Sequence, residues 1–142
     1  MQTRRDFVTW LSAISLAGLT RPLRADEGAE RHATAAARAW LDLVDAGRYA
    51  TSWEEAARAF QGAVSCEQWD RAVHSVRTPL GRCLSRRLLS HKLVDSPRGG
   101  PKGPYEVLQF ETDFEQRAAA VETVTPVLGR DGRWRVAGYF IK

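Results

Sequence analysis

Four arginines, Arg77, Arg82, Arg86 and Arg87, fall within eleven residues, and the acid Glu122 lies in a later stretch of alternating character. A guanidinium presents a rigid fork of N–H donors that matches a carboxylate or a phosphate. Two readings follow. In one, Arg77 and Arg86 open a small-molecule anion pocket walled by Glu122, Tyr105 and Trp134, and Glu122 and Tyr105 are the groups that acid–base chemistry would use. In the other, Arg86 or Arg77 pairs with Glu122, and the ions hold a junction between helices and sheet. The second, structural reading is preferred.

Other chemistries fail on spacing. His32, His74 and His91 lack the HxxxH or HExxH pattern of a metal site, so no metal and no cofactor is expected. There is no G-x-S-x-G nucleophile turn. Gly99-Gly100 lacks the Lys-Ser/Thr and the following helix of a phosphate loop. No catalytic residue is assigned. Cys66 and Cys83 are too far apart for a CxxC motif. Two alternatives stay open for them: a disulfide, which would stabilise by ~3 kcal/mol, or two separate buried thiols.

The chain has 142 residues, 44% hydrophobic and 27% charged, which suits one globular domain. Five Trp supply large buried area to a small core. The net charge of +4 is concentrated at the start, where Arg4, Arg5, Arg21 and Arg24 face one acid, Asp6. The remaining chain carries 17 basic and 16 acidic residues, a net of +1. Nucleic acid is excluded as a partner on that ground, because phosphate binding needs a basic surface.

That basic start reads as a leader. A charged segment precedes an apolar run from Phe7 to Leu19, and Ala25 offers a small residue for cleavage. The run is shorter than the ~20 residues of a membrane span, so no stable span is expected after cleavage. Thr3-Arg4-Arg5-Asp6-Phe7-Val8 is similar to the twin-arginine export signal of bacteria. The expected organisation is a signal peptide over residues 1–25 and a single α+β domain over 26–142, placed in the periplasm or otherwise exported.

The elements that must position these side chains show in the periodicity. Ala33, Ala36, Ala37, Trp40, Leu41 and Val44 form one helical stripe, with Gly47 as the stop. Ser52-Trp53-Glu54-Glu55 reads as a capping box opening a second helix, with Trp53, Ala56, Ala57 and Phe60 buried. Ser65 to Gln68 reads as another, opening a third helix that buries Trp69, Ala72, Val73 and Val76 and ends before Pro79. A strand is expected over Gly81 to Lys92, with Leu84 and Leu88 on one face, and a short helix would also fit Leu84, Leu88 and Leu89. Ser96 to Pro104 is a Pro- and Gly-rich loop. Strands follow at Tyr105 to Phe114, Ala118 to Leu128 and Trp134 to Ile141. Pro126 lacks a ladder donor and belongs at an edge or a bulge. Asp131-Gly132 suits a type I′ turn, and Trp134, Val136 and Phe140 share a face of the last strand. The sum is an α+β fold, three N-terminal helices packed on a curved four-stranded antiparallel sheet, by analogy cystatin-like or nuclear-transport-factor-2-like.

The stretches LDLVDAGRYATSWEEAA (residues 41–57), Gln68-Trp69, RTPLGRCLSRRL (77–88), ETVT (122–125) and DGRWRVAGYFI (131–141) resemble the bacterial domain-of-unknown-function family 4019. The resemblance runs from about Ala37 to Lys142 and implies a small exported single-domain protein without implying an activity. The reading that follows is a non-catalytic module that binds a small molecule or an envelope protein. Its rivals are a small isomerase- or hydrolase-type enzyme working from a pocket carboxylate, and a homodimer formed through the open sheet face.

Overall fold

The computed structural model describes residues 23–95 and 103–142, with side chains from residue 27. Residues 1–22, where most of the expected leader falls, and residues 96–102, within the expected Pro- and Gly-rich segment, lie outside the described residues. The elements run α1 (Leu23–Asp45), α2 (Tyr49–Glu55), α3 (Arg58–Ala63), α4 (Cys66–Arg77), a 3₁₀ turn (Thr78–Leu80), then β1 (Cys83–Asp95), β2 (Pro104–Phe114), β3 (Arg117–Leu128) and β4 (Trp134–Ile141). The strands form one antiparallel meander in the order β1-β2-β3-β4. This is an α+β fold whose four strands lie within a few residues of expectation.

The helical layer departs from expectation in three ways. Among the described residues four helices stand where three were read, because the stretch around Trp53 breaks at Ala56 and Ala57 into α2 and α3. The Ala57 amide instead donates to the Val136 carbonyl at 2.8 Å, tying the break to the edge of β4. Ser52 caps nothing; it is buried inside α2. Its hydroxyl donates to the Tyr49 carbonyl and accepts from the Trp69 indole at 2.9 Å, while the Ser52 carbonyl accepts from the Trp40 indole at 2.8 Å. One serine thus satisfies the polar edges of two buried tryptophans, which would otherwise be costly to desolvate. The Ser65 capping box does form, with both reciprocal bonds to Gln68. The α4 helix is turned from the expected face: Trp69, Val73 and Arg77 are buried, whereas Ala72 and Val76 are exposed.

The core joins both layers. Ala37, Trp40, Leu41 and Val44 of α1 meet Phe60, Trp69 and Val73 from the other helices, and Leu108, Phe110, Val124, Val136 and Tyr139 from the sheet. Trp40, Phe60, Trp69 and Tyr139 touch ring to ring at centroid distances of 4.9–6.1 Å. These edge-on and tilted pairs fill the space between helices and sheet.

Bulges decide which side chains enter that space. Cys83 pairs with Phe114 and Ser85 with Asp113, so Leu84 is an extra residue and stands 63% exposed, against the expectation that it lies inward with Leu88. On the other edge, Thr125 pairs with Gly138 and Pro126 with Val136, leaving Ala137 unpaired. Pro126 therefore sits at a bulge. The extra residue moves the alternation along by one, so Tyr139 and not Phe140 follows Val136 into the core. The last hairpin closes differently from the expected type I′ turn. Gly132, at φ 79, donates to the Gly129 carbonyl at 3.0 Å, and Asp131 stays at negative φ. The Asp131 carboxylate there accepts from the Arg133 amide and from Arg135.

Both cysteines are free thiols. Cys66 opens α4, whose twelve residues span ~18 Å, and Cys83 follows its far end after the 3₁₀ turn. Bridging needs Cα atoms within ~7 Å. The Cys83 sulfur turns instead toward the Ser85 carbonyl at 3.8 Å.

Candidate functional site

The structure gathers one buried polar cluster where the C-terminal end of α1 meets α4 and the sheet. Glu122, on the inward face of β3, is 0% exposed. Arg86 Nε of β1 donates to its Oε1 at 2.7 Å, Thr112 Oγ1 of β2 to the same oxygen at 2.6 Å, and the Tyr139 hydroxyl of β4 to Oε2. Arg86 turns its other two nitrogens to Asp45, the last residue of α1, at 2.8 and 3.1 Å. Arg77 NH2 reaches Asp45 Oδ1 at 2.6 Å, and its guanidinium lies 4.8 Å over the Phe114 ring. Two guanidiniums thus face two carboxylates, and the side chains of Arg77 and Arg86 are only 5% and 8% exposed.

Each member is placed by its element. Arg86, Thr112 and Glu122 take inward positions on three adjacent strands, with Arg86 opposite Thr112 in the ladder. Tyr139 arrives through the β4 bulge. Arg77 continues the Trp69–Val73 face of α4 by one more turn. Gly81, at φ 75, then lets the chain turn from the 3₁₀ segment into β1, with Glu115 packed where a side chain would stand.

The electrostatics follow from this wiring. Burial works against the Asp45 carboxylate, but its bonds to Arg86 and Arg77 outweigh that and hold its pKa below the usual value. Burial likewise opposes the charge on Arg86, yet the bond to Asp45 and the nearby Glu122 charge raise its pKa well above an ordinary guanidinium. Tyr139 is pushed well above a normal phenol by burial first and by the Glu122 charge next. It stays a neutral donor.

Of the residues read from the sequence, Arg77, Arg86 and Glu122 come together, with Arg86 on Glu122 and Arg77 on Asp45. Tyr105 and Trp134 do not join them. Tyr105 is buried in a separate small cluster with Ala57, Val127 and Ala137, seven residues along β2 from Thr112, or about 23 Å. Burial raises its phenol pKa. Trp134, at the start of β4, is half-buried in a surface groove of about 460 Å³ beside α1. Asp45 and Thr112 were missed. Thr112 had a signal: it shares the inward face of β2 with Phe110 and Phe114, a polar residue between two aromatics. Asp45 had none, since its partners lie 32 and 41 residues away.

The cluster can do little chemistry. Glu122 has both oxygens occupied by three donors, and it lines neither the groove at Trp134 nor a wider one of about 980 Å³ between residues 56–59 and the β3–β4 turn. No three metal-ligating side chains converge among the described residues, and no described helix is long and apolar enough to cross a membrane. Compared with known proteins, residues 36–139 match a family model described as protein of unknown function (DUF4019). No curated protein and no solved structure matches the chain.

Proposed function

The chain belongs to the DUF4019 family, and from that premise we propose that it is an exported, non-catalytic binding module that works from its surface, its interior serving as scaffold. The observation that carries this reading is the state of Glu122. A general base needs a free lone pair within reach of a substrate. Glu122 is fully buried, and Arg86, Thr112 and Tyr139 share its two oxygens. The rival reading of a cavity enzyme loses its carboxylate on that ground. A homodimer through the open sheet face would have to pack Leu84 and Leu89 of β1 among the Arg87–Glu111 and Ser90–Gln109 pairs, which keep much of the β1–β2 half polar. The cystatin-like or nuclear-transport-factor-2-like cone remains part of the proposal as an analogy of element order, helices first and a meander after.

Export through the twin-arginine leader, into the periplasm, completes the reading. The test is native mass spectrometry of the protein recovered from the exported fraction. A processed chain without a tightly held small molecule is expected, and Arg4→Lys/Arg5→Lys should leave the precursor in the cytoplasm. A stoichiometric adduct that Glu122→Gln releases would restore an interior site and sink the proposal.

A further inference from the structure

Resting on that surface reading, we infer that the groove between α1 and the start of β4 binds a small aromatic molecule carrying one negative charge. Three observations converge there. First, α1 carries a second stripe that the core does not use. Ala36, Ala39 and Leu43 line this groove together with Trp40, which also packs in the core, whereas Ala33, Ala37, Leu41 and Val44 face the core alone. Two of the stripe's three residues are alanines, which leave room for a ring against the helix. Second, Trp134 forms a wall and is half-buried, leaving part of its ring uncovered by the protein. Its indole is available for stacking on a ring of the ligand.

Third, the charge is unbalanced in one direction. Arg48, Arg133, Arg135 and Glu55 line the groove. Asp131 holds Arg135 through two bonds, at 2.6 and 3.1 Å, and the Glu55 charge also falls on Arg135. Arg48 and Arg133 have no carboxylate partner among the described residues. Three guanidiniums against two carboxylates leave one positive charge, which a monoanion complements. The volume of about 460 Å³ lies within the range of small-molecule sites. Apolar floor, stacking wall and two free guanidiniums together select an aromatic anion over a neutral apolar molecule or a bare phosphate.

The test uses the exported protein and a matched pair of probes. Anilinonaphthalene sulfonate is an aromatic monoanion, and N-phenylnaphthylamine is its uncharged counterpart. Fluorescence titration should show saturable binding of the sulfonate, with amide resonances shifted at Leu43, Arg48, Arg133 and Trp134. Arg48→Gln/Arg133→Gln should weaken the sulfonate by about tenfold and leave the neutral probe unchanged. Both arginines are exposed, so the variant keeps the fold, checked by its amide spectrum. Trp134→Ala should weaken both probes. Unchanged sulfonate affinity in the double variant, or shifts mapped away from this groove, would overturn the inference. Loss of sulfonate binding in Glu122→Gln with the fold intact would instead place the probe inside and overturn the surface reading beneath it.

Discussion

Burying Glu122 would cost several kcal/mol without its partners, and Arg86 carries the same liability at 8% exposure. Each makes the other tolerable, and Asp45, Thr112 and Tyr139 complete the set. Replacing Arg86→Met leaves Glu122 without the cation bonded to it among the described residues, so a loss of about 3–5 kcal/mol is expected. Glu122→Leu should cost a similar amount, because Arg86 then keeps only Asp45 and the Tyr139 and Thr112 hydroxyls lose their acceptor. The double variant removes charge from both sides and should cost less than the sum by at least about 1 kcal/mol. Urea denaturation of the four proteins measures this coupling. Additive losses would mean that the pair contributes nothing as a pair. Arg86 and Glu122 were legible as partners because a basic cluster and an isolated acid both fell on strands with a readable period. Tyr139 was legible only as an aromatic, since its inward turn depends on a bulge that no local pattern announces.

The strands and hairpins follow the alternation closely, while their irregularities carry the placement. The β2–β3 hairpin contains an example. Thr112 pairs with Ala120 and Phe114 with Arg117, so two residues of β3 stand against one of β2. Ala119 takes φ 53 there, the one positive φ outside glycine among the described residues. Its amide is held by Asp113 Oδ1 at 2.7 Å. An L-residue in that region bears about 1–2 kcal/mol of strain, and Ala119 is exposed, so its methyl group packs little. Ala119→Gly should raise the unfolding free energy by roughly 0.5–1 kcal/mol, after the added entropy of a glycine in the unfolded chain is set against the relief. A lower denaturation midpoint in the glycine variant would show that the conformation is not strained. The same reasoning explains why the Ser52 capping box misled. Its spacing satisfies the local rule, but two tryptophan indoles, Trp40 twelve residues before and Trp69 seventeen after, bond to its carbonyl and its hydroxyl and hold it inside the helix. Local signals locate elements; long-range polar demands choose their faces.

The polar cluster ties α1, α4 and all four strands together, so its titration should be read as the stability of the entire domain. The signs at the two ends of the pH range are opposite. The Asp45 carboxyl is held below its ordinary value of 3.8 in the folded chain, its hydrogen bonds to the two arginines overcoming the penalty of burial. Above 3.8 both states carry the carboxylate and its stabilisation is complete. As pH falls below 3.8 the unfolded chain takes up the proton first, and stability declines. The Tyr139 phenol is held well above 10.0, by burial and then by the Glu122 charge. Below pH 10 both states keep the proton and nothing is lost. Above it the unfolded chain releases a proton that the folded chain retains, and stability declines by up to ~1.4 kcal/mol per pH unit for this group. Arg86 remains cationic throughout, so the declines belong to the acids. Thermal melts should therefore show a plateau between about pH 5 and pH 9 with falling limbs on both sides, since burial also raises the Cys83 thiol above its ordinary 9.0 and the Arg82 bonds hold Glu115 below 4.5. Tyr139→Phe should flatten the alkaline limb without abolishing it, because the buried Tyr105 phenol is also raised. Asp45→Asn should flatten the acid limb at the cost of a lower plateau. An alkaline limb of equal slope in Tyr139→Phe would mean that the hydroxyl is not enclosed with Glu122, and the scaffold reading of the interior would lose its central contact.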